Sequence, residues 1–340
     1  MGKKKILVTG GAGFIGGNFV QYMVNKYPQY DIYNLDLLTY AGDLTKHIDI
    51  ETKENYRFVK ADIADRDTIN VLFEKEQFDY VIHFAAESHV DRSITDPGVF
   101  VKTNVLGTQV LLDASRKINV TKFVHVSTDE VYGELDFDPT TFFTEETPIN
   151  PSSPYSASKA SSDLIVHSYF ETYDLPINIT RCSNNYGPYH FPEKLIPLTI
   201  SRVLNNQKVP VYGDGKNVRD WLHVIDHCSA IDLVLHEGVK GEVYNIGGHN
   251  ERTNLEVVKT IIKHLNKSEN LIEFVDDRLG HDKRYAIDPT KLEKLGWIPK
   301  YNFDSGIIDT INWYLDNFEW WEKILSADYQ NYFKKQYNLN

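Results

Sequence analysis

Cysteine is almost missing from this chain. Cys182 and Cys228 are the only two in 340 residues, too few for a disulfide framework and in keeping with a reducing cytosol, so a cytoplasmic location is expected. Basic residues are also in short supply, 36 Lys and Arg against 48 Asp and Glu, for a net charge of -12. That balance argues against a general nucleic-acid binder, which needs a basic face for phosphates. An anionic small ligand would need a locally basic pocket. No apolar run approaches the roughly 18 residues of a membrane span. Lys3-Lys4-Lys5 before Ile6-Leu7-Val8 imitates a secretory leader, but the glycines of Thr9 to Gly16 interrupt any apolar leader core. Internal repeats and low-complexity tracts are not apparent. No clustered ligand spacing accompanies His89 or His125, so both read as structural and no metal is expected.

What is present is a chain long enough, and at 41% hydrophobic content apolar enough, to bury a full core. Short β-branched runs alternate with helical patterns through the first 185 residues. Lys5 to Val8, Tyr30 to Leu35, Tyr56 to Ala61, Tyr80 to Phe84, Phe123 to Ser127 and Ile177 to Arg181 read as strands. Asp65 ahead of Ile69, Leu72 and Phe73 reads as a capped helix, and Val101 to Ile118 as a longer one. The expectation is a doubly wound, mostly parallel α/β sheet of Rossmann type with a smaller C-terminal substrate-binding lobe. Residues 1–184 would form the dinucleotide-binding domain and 185–340 mainly the lobe, with 219–245 packing back onto the first domain. Helical stretches in the lobe are expected near Lys194 to Asn205, Thr253 to Leu265 and Ile307 to Trp321. Trp313, Trp320, Trp321, Tyr329 and Tyr332 could be core, interface or neither.

Gly11-x-Gly13-x-x-Gly16 follows the first strand and opens a helix. Its glycines would permit the tight turn, the approach of a pyrophosphate and close helix packing, with phosphate at the helix N-terminus. An ordinary strand-helix turn is the plain alternative. Asp36 shifts the balance, because it ends the second strand twenty residues beyond Gly16, where a carboxylate binds the adenosine ribose and repels a 2′-phosphate. NAD is therefore favoured over NADP.

Thr128-Asp129-Glu130 closes the Phe123 to Ser127 strand, at the carboxyl end where open α/β sheets bind ligands. The triplet could simply cap a helix. Two adjacent carboxylates in a desolvated cleft could instead hold one proton between them and supply an acid and a base. Tyr155 and Lys159 are spaced to share a helix face, where the ammonium would favour the phenolate and let it accept a hydroxyl proton as carbon gives up hydride. A surface pair on an amphipathic helix is the alternative. Pro151-Ser152-Ser153-Pro154 supplies the helix start.

The Gly10 to Gly16 turn, the Tyr155/Lys159 pair and Asn185-Tyr186-Gly187-Pro188 together resemble the extended short-chain dehydrogenase/reductases that modify nucleotide sugars, along nearly the whole chain. Ser127 to Gly133 resembles the corresponding segment of the dTDP-glucose 4,6-dehydratase family, with Asp129 the sharpest discriminator from 4-epimerases and GDP-mannose dehydratases. Ala85 to Ser93, Tyr189 to Pro197, Arg219 to Val224 and Asp277 to Asp282 match as well. Leu279 stands where the family usually has proline, a change that bears on loop stiffness.

The resemblance implies that NAD meets Gly10, Gly11, Ala12, Gly13, Phe14, Ile15, Gly16, Asp36, Leu37, Leu38, Thr39, Asp62, Ile63, Phe84, Ala85, Ala86, Glu87, Thr103, Tyr155, Lys159 and Asn185. The nucleotide sugar would meet Ser88, Thr128, Asn184, Lys194, Leu195, Pro210, Val211, Tyr212, Arg219, Asn254, Asp277, Arg278, Leu279, Gly280 and His281. Arg219 and Arg278 suit a diphosphate, whose oxygens match a guanidinium fork; exposed surface arginines are the alternative. In the cycle implied, Tyr155, assisted by Thr128 and Lys159, oxidises C4 of glucose with NAD. Glu130 then removes the C5 proton while Asp129 protonates the departing C6 hydroxyl, and hydride returns to C6. A 4-epimerase or a non-catalytic NAD-binding scaffold would share the glycine turn. Relatives usually dimerise through paired helices, here Val101 to Ile118 and Pro154 to Tyr173, so a homodimer is expected.

Overall fold

The computed structural model describes residues 2–277 and 280–325. Among the described residues twelve strands run in chain order: β1 (Lys4–Thr9), β2 (Tyr30–Asp36), β3 (Tyr56–Lys60), β4 (Tyr80–His83), β5 (Lys122–Thr128), β6 (Ile177–Cys182), β7 (Asn184–Tyr186), β8 (Val209–Tyr212), β9 (Val218–His223), β10 (Val243–Ile246), β11 (Glu251–Thr253) and β12 (Ile272–Val275). Seven of them form one parallel sheet in the order β10-β6-β5-β4-β1-β2-β3. The chain starts in the middle, winds out to one edge and then to the other. This is a Rossmann-like doubly wound fold, with its topological switch between β1 and β4.

Period-two alternation explains why both faces of the sheet are covered. Ile6, Val8, Ile82, Val124 and Val126 pack against the helices Phe14–Lys26 and Val224–Glu237. Leu7, Val81, Phe123, Ile177 and Ile179 pack on the other face against Arg66–Glu76, Thr108–Lys117 and Pro154–Tyr173. A separate core joins Tyr186 and Trp221 to the helices Leu195–Leu204, Asn254–His264, Phe303–Asp316 and Phe318–Ile324. Smaller sheets, β11-β9-β7 and β12-β8, connect that core to the cleft. Both cysteines are free and buried. Among the described residues no helix is long and apolar enough to cross a membrane.

Three elements depart from the expected outline. The sheet has a seventh strand, β10, beyond the six expected. The expected helix Val101 to Ile118 is α-helical only from Thr108 and begins as a wider π turn, Val101–Gly107. That turn brings Asn104 inward, where its amide exchanges two hydrogen bonds with the Glu87 backbone, 2.8 and 3.0 Å, and donates to Ser158 Oγ at 2.8 Å. The expected helix Ile307 to Trp321 is broken at Asn317. Trp321 is core, Trp313 and Trp320 pack on its rim, and Tyr329 and Tyr332 lie outside the described residues.

The helix Pro154–Tyr173 carries the Tyr155/Lys159 pair, and its start is fixed by a reciprocal cap. Ser153 Oγ accepts from Ser156 N at 3.1 Å, and Ser156 Oγ accepts from Ser153 N at 3.0 Å. Replacing Ser153 by alanine is expected to lower the unfolding free energy by about 1 kcal/mol, measured by urea titration.

Candidate active site

One cleft of about 470 Å³ lies at the carboxyl ends of β1, β2, β4, β5 and β6. Its floor is the glycine turn. Gly10 adopts φ +72°, and a Cβ there would fall 2.6 Å from Ala85 N, so only glycine allows the first and fourth strands to approach so closely. The helix that follows starts at Gly13 with no side-chain cap and no acidic residue in its first turn. Its N-terminal amides and dipole therefore suit an anion. Asp36 ends β2 with its carboxylate anchored by Ala12 N at 2.9 Å and Leu38 N at 2.8 Å, leaving acceptor capacity for a ribose. These residues fit a dinucleotide.

Thr128 closes β5 and does act as a cap: its hydroxyl accepts from Glu130 N at 3.3 Å and starts a short 3-10 turn, Asp129–Tyr132. Capping and chemistry coexist here, because the same turn puts Thr128, Asp129 and Glu130 on the cleft wall beside Tyr155 and Lys159. Asp129 is 1% exposed. Burial, then the charges of Glu130 and Asp220, push its carboxyl well above the ordinary range. Its Oδ2 is buried without a hydrogen-bond partner among the described residues, as a proton donor awaiting a substrate hydroxyl would be.

Tyr155 departs from expectation. Its phenol is pushed well above its ordinary value, first by burial and then by the Glu130 charge, with the Thr128 hydroxyl acting the other way. Lys159 does not offset this, since its Nζ donates to the Val126 carbonyl at 2.8 Å and burial pulls its own pKa down to about 8. The spacing implies a phenolate pair, but desolvation weighs on both partners. Beneath Lys159, His125 is buried away from the cleft lining, whereas His89 lines the cleft and faces Glu193 at 3.7 Å. Burial lowers His125 to about 4, and Asp163 faces it at 3.3 Å while pairing with Arg181 at 2.9 Å.

Most of the remaining expected residues converge on the same cleft: Asp62, Ile63, Phe84 to Glu87, Thr103 and Asn185 toward the glycine turn, and Ser88, Asn184, Lys194, Leu195, Pro210 to Tyr212, Asn254 and His281 beyond it. Asn185 is oriented by His227 at 2.9 Å. Arg219 is 5% exposed, so the surface-arginine alternative does not hold; it donates to the Asp282 carbonyl at 2.9 Å and stacks over Tyr285 at 4.2 Å. Gly11, Ala12 and Leu38 stand behind the lining and shape it through backbone. Asp277 is outside the lining but meets His281 Nδ1 at 2.5 Å. Gly280 lines a neighbouring shallow depression with Gly133 and Ser152. Arg278 and Leu279 lie outside the described residues. Among the described residues no cluster suits a metal.

The sequence reading missed several lining residues, among them Tyr40, Asp43, Lys46, Glu193 and Trp320. Glu193 sits inside a segment already matched and could have been noticed there. Lys46 and Trp320 belong to no motif.

Comparison with known proteins places these features in context. Residues 7–310 match the family model described as GDP-mannose 4,6 dehydratase. A dTDP-glucose 4,6-dehydratase of Escherichia coli is 50% identical, the alignment covering 96% of this chain and 97% of that protein. A crystal structure of dTDP-glucose 4,6-dehydratase from Bacillus anthracis in complex with NAD shares 52% identity at a TM-score of 0.88, covering 94% of this chain and 99% of that one. One from Streptomyces venezuelae, also with NAD bound, shares 46% identity at a TM-score of 0.90 over the same shares.

Proposed function

We infer, from the premise that the chain belongs to the GDP-mannose 4,6-dehydratase family, that it converts dTDP-glucose to dTDP-4-keto-6-deoxyglucose and water with the help of NAD. The observation that carries the reading is Asp129, a carboxyl buried beside Glu130 on the wall of the cleft, where burial and the Glu130 charge favour its protonated form. Hydride transfer alone needs no such acid; expulsion of a hydroxyl does.

The residue roles are proposed as follows. Gly10 to Gly16, Asp36 to Thr39, Asp62, Ile63, Phe84 to Glu87, Thr103 and Asn185 hold the cofactor. Lys194, Arg219 and His281, with Pro210 to Tyr212, receive the nucleotide diphosphate end of the substrate, and Asp277 orients His281. NAD held there would supply a hydride acceptor for C4 and, once reduced, a hydride donor for C6, and its positive charge would favour the Tyr155 phenolate. Tyr155 Oη takes the C4 hydroxyl proton, with the Thr128 hydroxyl beside it. Once C4 is a ketone, C5–H is acidic, and Glu130 takes that proton. Asp129 gives its proton to the C6 hydroxyl, which leaves as water; Glu130 then returns its proton to C5 as hydride would reach C6, and the proton taken up by Tyr155 makes good the one Asp129 has lost.

A homodimer in the cytoplasm completes the proposal. Val101 and Leu106 on one helix and Leu164 on the other are large apolar residues left 57%, 45% and 59% exposed, which supports pairing of those helices. The buried, unpaired cysteines support a reducing compartment.

Mass spectrometry of dTDP-glucose after incubation with the protein tests the activity. The product is expected to be lighter by one water. An isomer of unchanged mass would instead assign a 4-epimerase.

A further inference from the structure

The loop from Leu37 to His47 walls one side of the cleft and is fastened at several points, among them Tyr40 Oη to Glu193 at 3.2 Å and two more that come from Lys46 and Trp320. Lys46, 2% exposed, sends its Nζ to the carbonyls of Ala12 at 2.9 Å and Gly13 at 2.8 Å, both in the glycine turn. The Asp43 amide donates to the same Ala12 carbonyl at 2.9 Å. Room for the lysine stem comes from Gly17, one residue past the last glycine of the Gly11-x-Gly13-x-x-Gly16 pattern: a Cβ there would fall 2.6 Å from Lys46 Cδ. Glycine inside a helix is unfavourable relative to alanine, and the dinucleotide pattern does not require one at this position. The Trp320 fastening comes from the far end of the described chain. Trp320 Nε1 donates to Asp43 Oδ2 at 2.7 Å, its ring packed edge-on against Tyr189 and Trp313, and both Trp320 and Ile324 line the cleft.

We propose that Lys46 and Trp320 are the two pins of a cofactor clasp, positioning residues that hold the Leu37 to His47 loop against the phosphate-binding turn and thereby slow the departure of bound NAD. The inference rests on the proposed cycle, in which cofactor is returned to its starting form and its escape between the two hydride steps would strand a ketone. Lysine carries three N–H donors; two are spent on the turn, and the charge lies beside the helix start suited to a pyrophosphate. Burial, opposed by Asp43 and Asp36, draws the Lys46 pKa down to about 8, and an anion at the turn would favour its charged form.

The test is the exchange of bound NAD in the purified holoprotein against excess isotopically labelled NAD, with no substrate present, so that a wrong catalytic assignment leaves the result untouched. Lys46→Met keeps the stem and removes the donors and charge; exchange is expected to speed up about tenfold or more, as loss of a charged hydrogen bond predicts. Trp320→Phe keeps an aromatic side chain and removes the indole N–H, for about a fivefold increase. The double variant is expected to fall short of the product of the two, because both pins act on one loop. The melting temperature should drop for the holoprotein more than for the cofactor-free protein, since only bound ligand adds that stabilisation. Wild-type exchange in both single variants, or a full product in the double, overturns the clasp. If Lys46→Met does not fold, Trp320→Phe, at a partly exposed site, decides alone.

Discussion

Replacing Tyr155 by phenylalanine is expected to reduce turnover of dTDP-glucose by roughly 10³ to 10⁴, with no rise in absorbance at 340 nm when substrate meets the holoprotein. Tyr155 packs against Val90 and Phe100, its ring centroid 6.3 Å from that of Phe100. Phenylalanine preserves those contacts and deletes only the hydroxyl. With the fold and cofactor site intact, C4 would have no base for its hydroxyl proton, so the first oxidation should stop. Because burial and Glu130 oppose ionisation of the phenol, wild-type turnover should rise with pH as the phenolate forms. Reduced cofactor forming at the normal rate in the phenylalanine variant would sink the assignment.

Asp129→Asn is expected to separate the two halves of the reaction. The side chain keeps its shape but can no longer hand over a proton, so loss of water should slow by roughly 10² to 10³ while C4 oxidation continues. Reduced cofactor would then accumulate transiently at 340 nm, and full turnover would remove Asp129 as the acid. Stability should move in the opposite direction. The native carboxyl holds its proton while the unfolded chain releases it above about pH 3.9, so the group's contribution is complete below that pH and is lost as pH rises toward the raised native value. Asparagine does not titrate. The variant should therefore melt higher than the wild type above about pH 4, by a margin that widens with pH, as measured by calorimetry across that range.

Where sequence reasoning succeeded, the pattern was short-range. The first six strands were legible because each is a run of alternating or continuous apolar residues bounded by turn residues, and the observed β1 to β6 agree to within a residue at each end. Asp65 accepts from the Thr68 amide as its position before Ile69 implied. β10 escaped notice because Val243–Ile246 is four residues long and is a strand only by virtue of its pairing with β6. The wide turn at Val101–Gly107 goes with Asn104 reaching Glu87 and Ser158, and the break at Asn317 with its side chain donating to the Trp313 carbonyl at 2.8 Å, neither of which periodicity reveals. At the site, motif residues could be read and their environments could not. The spacing of Tyr155 and Lys159 places them on one face but says nothing of the Val126 carbonyl that takes the lysine. Lys46 sits in a loop with no pattern around it, and only its proximity to Gly17 in space reveals why that glycine is there.

The place of β10 at the end of the sheet bears on how the chain is made. Until Val243–Ile246 has been synthesised, the hydrogen-bonding edge of β6 from Ile179 to Cys182 stays open. Some sixty residues separate the two strands, several seconds of translation at roughly 5 to 20 residues per second. During that interval the nascent chain displays an unpaired strand edge able to pair with another chain. Nascent-chain truncations ending before Val243 should therefore bind chaperones more strongly than those ending past Ile246.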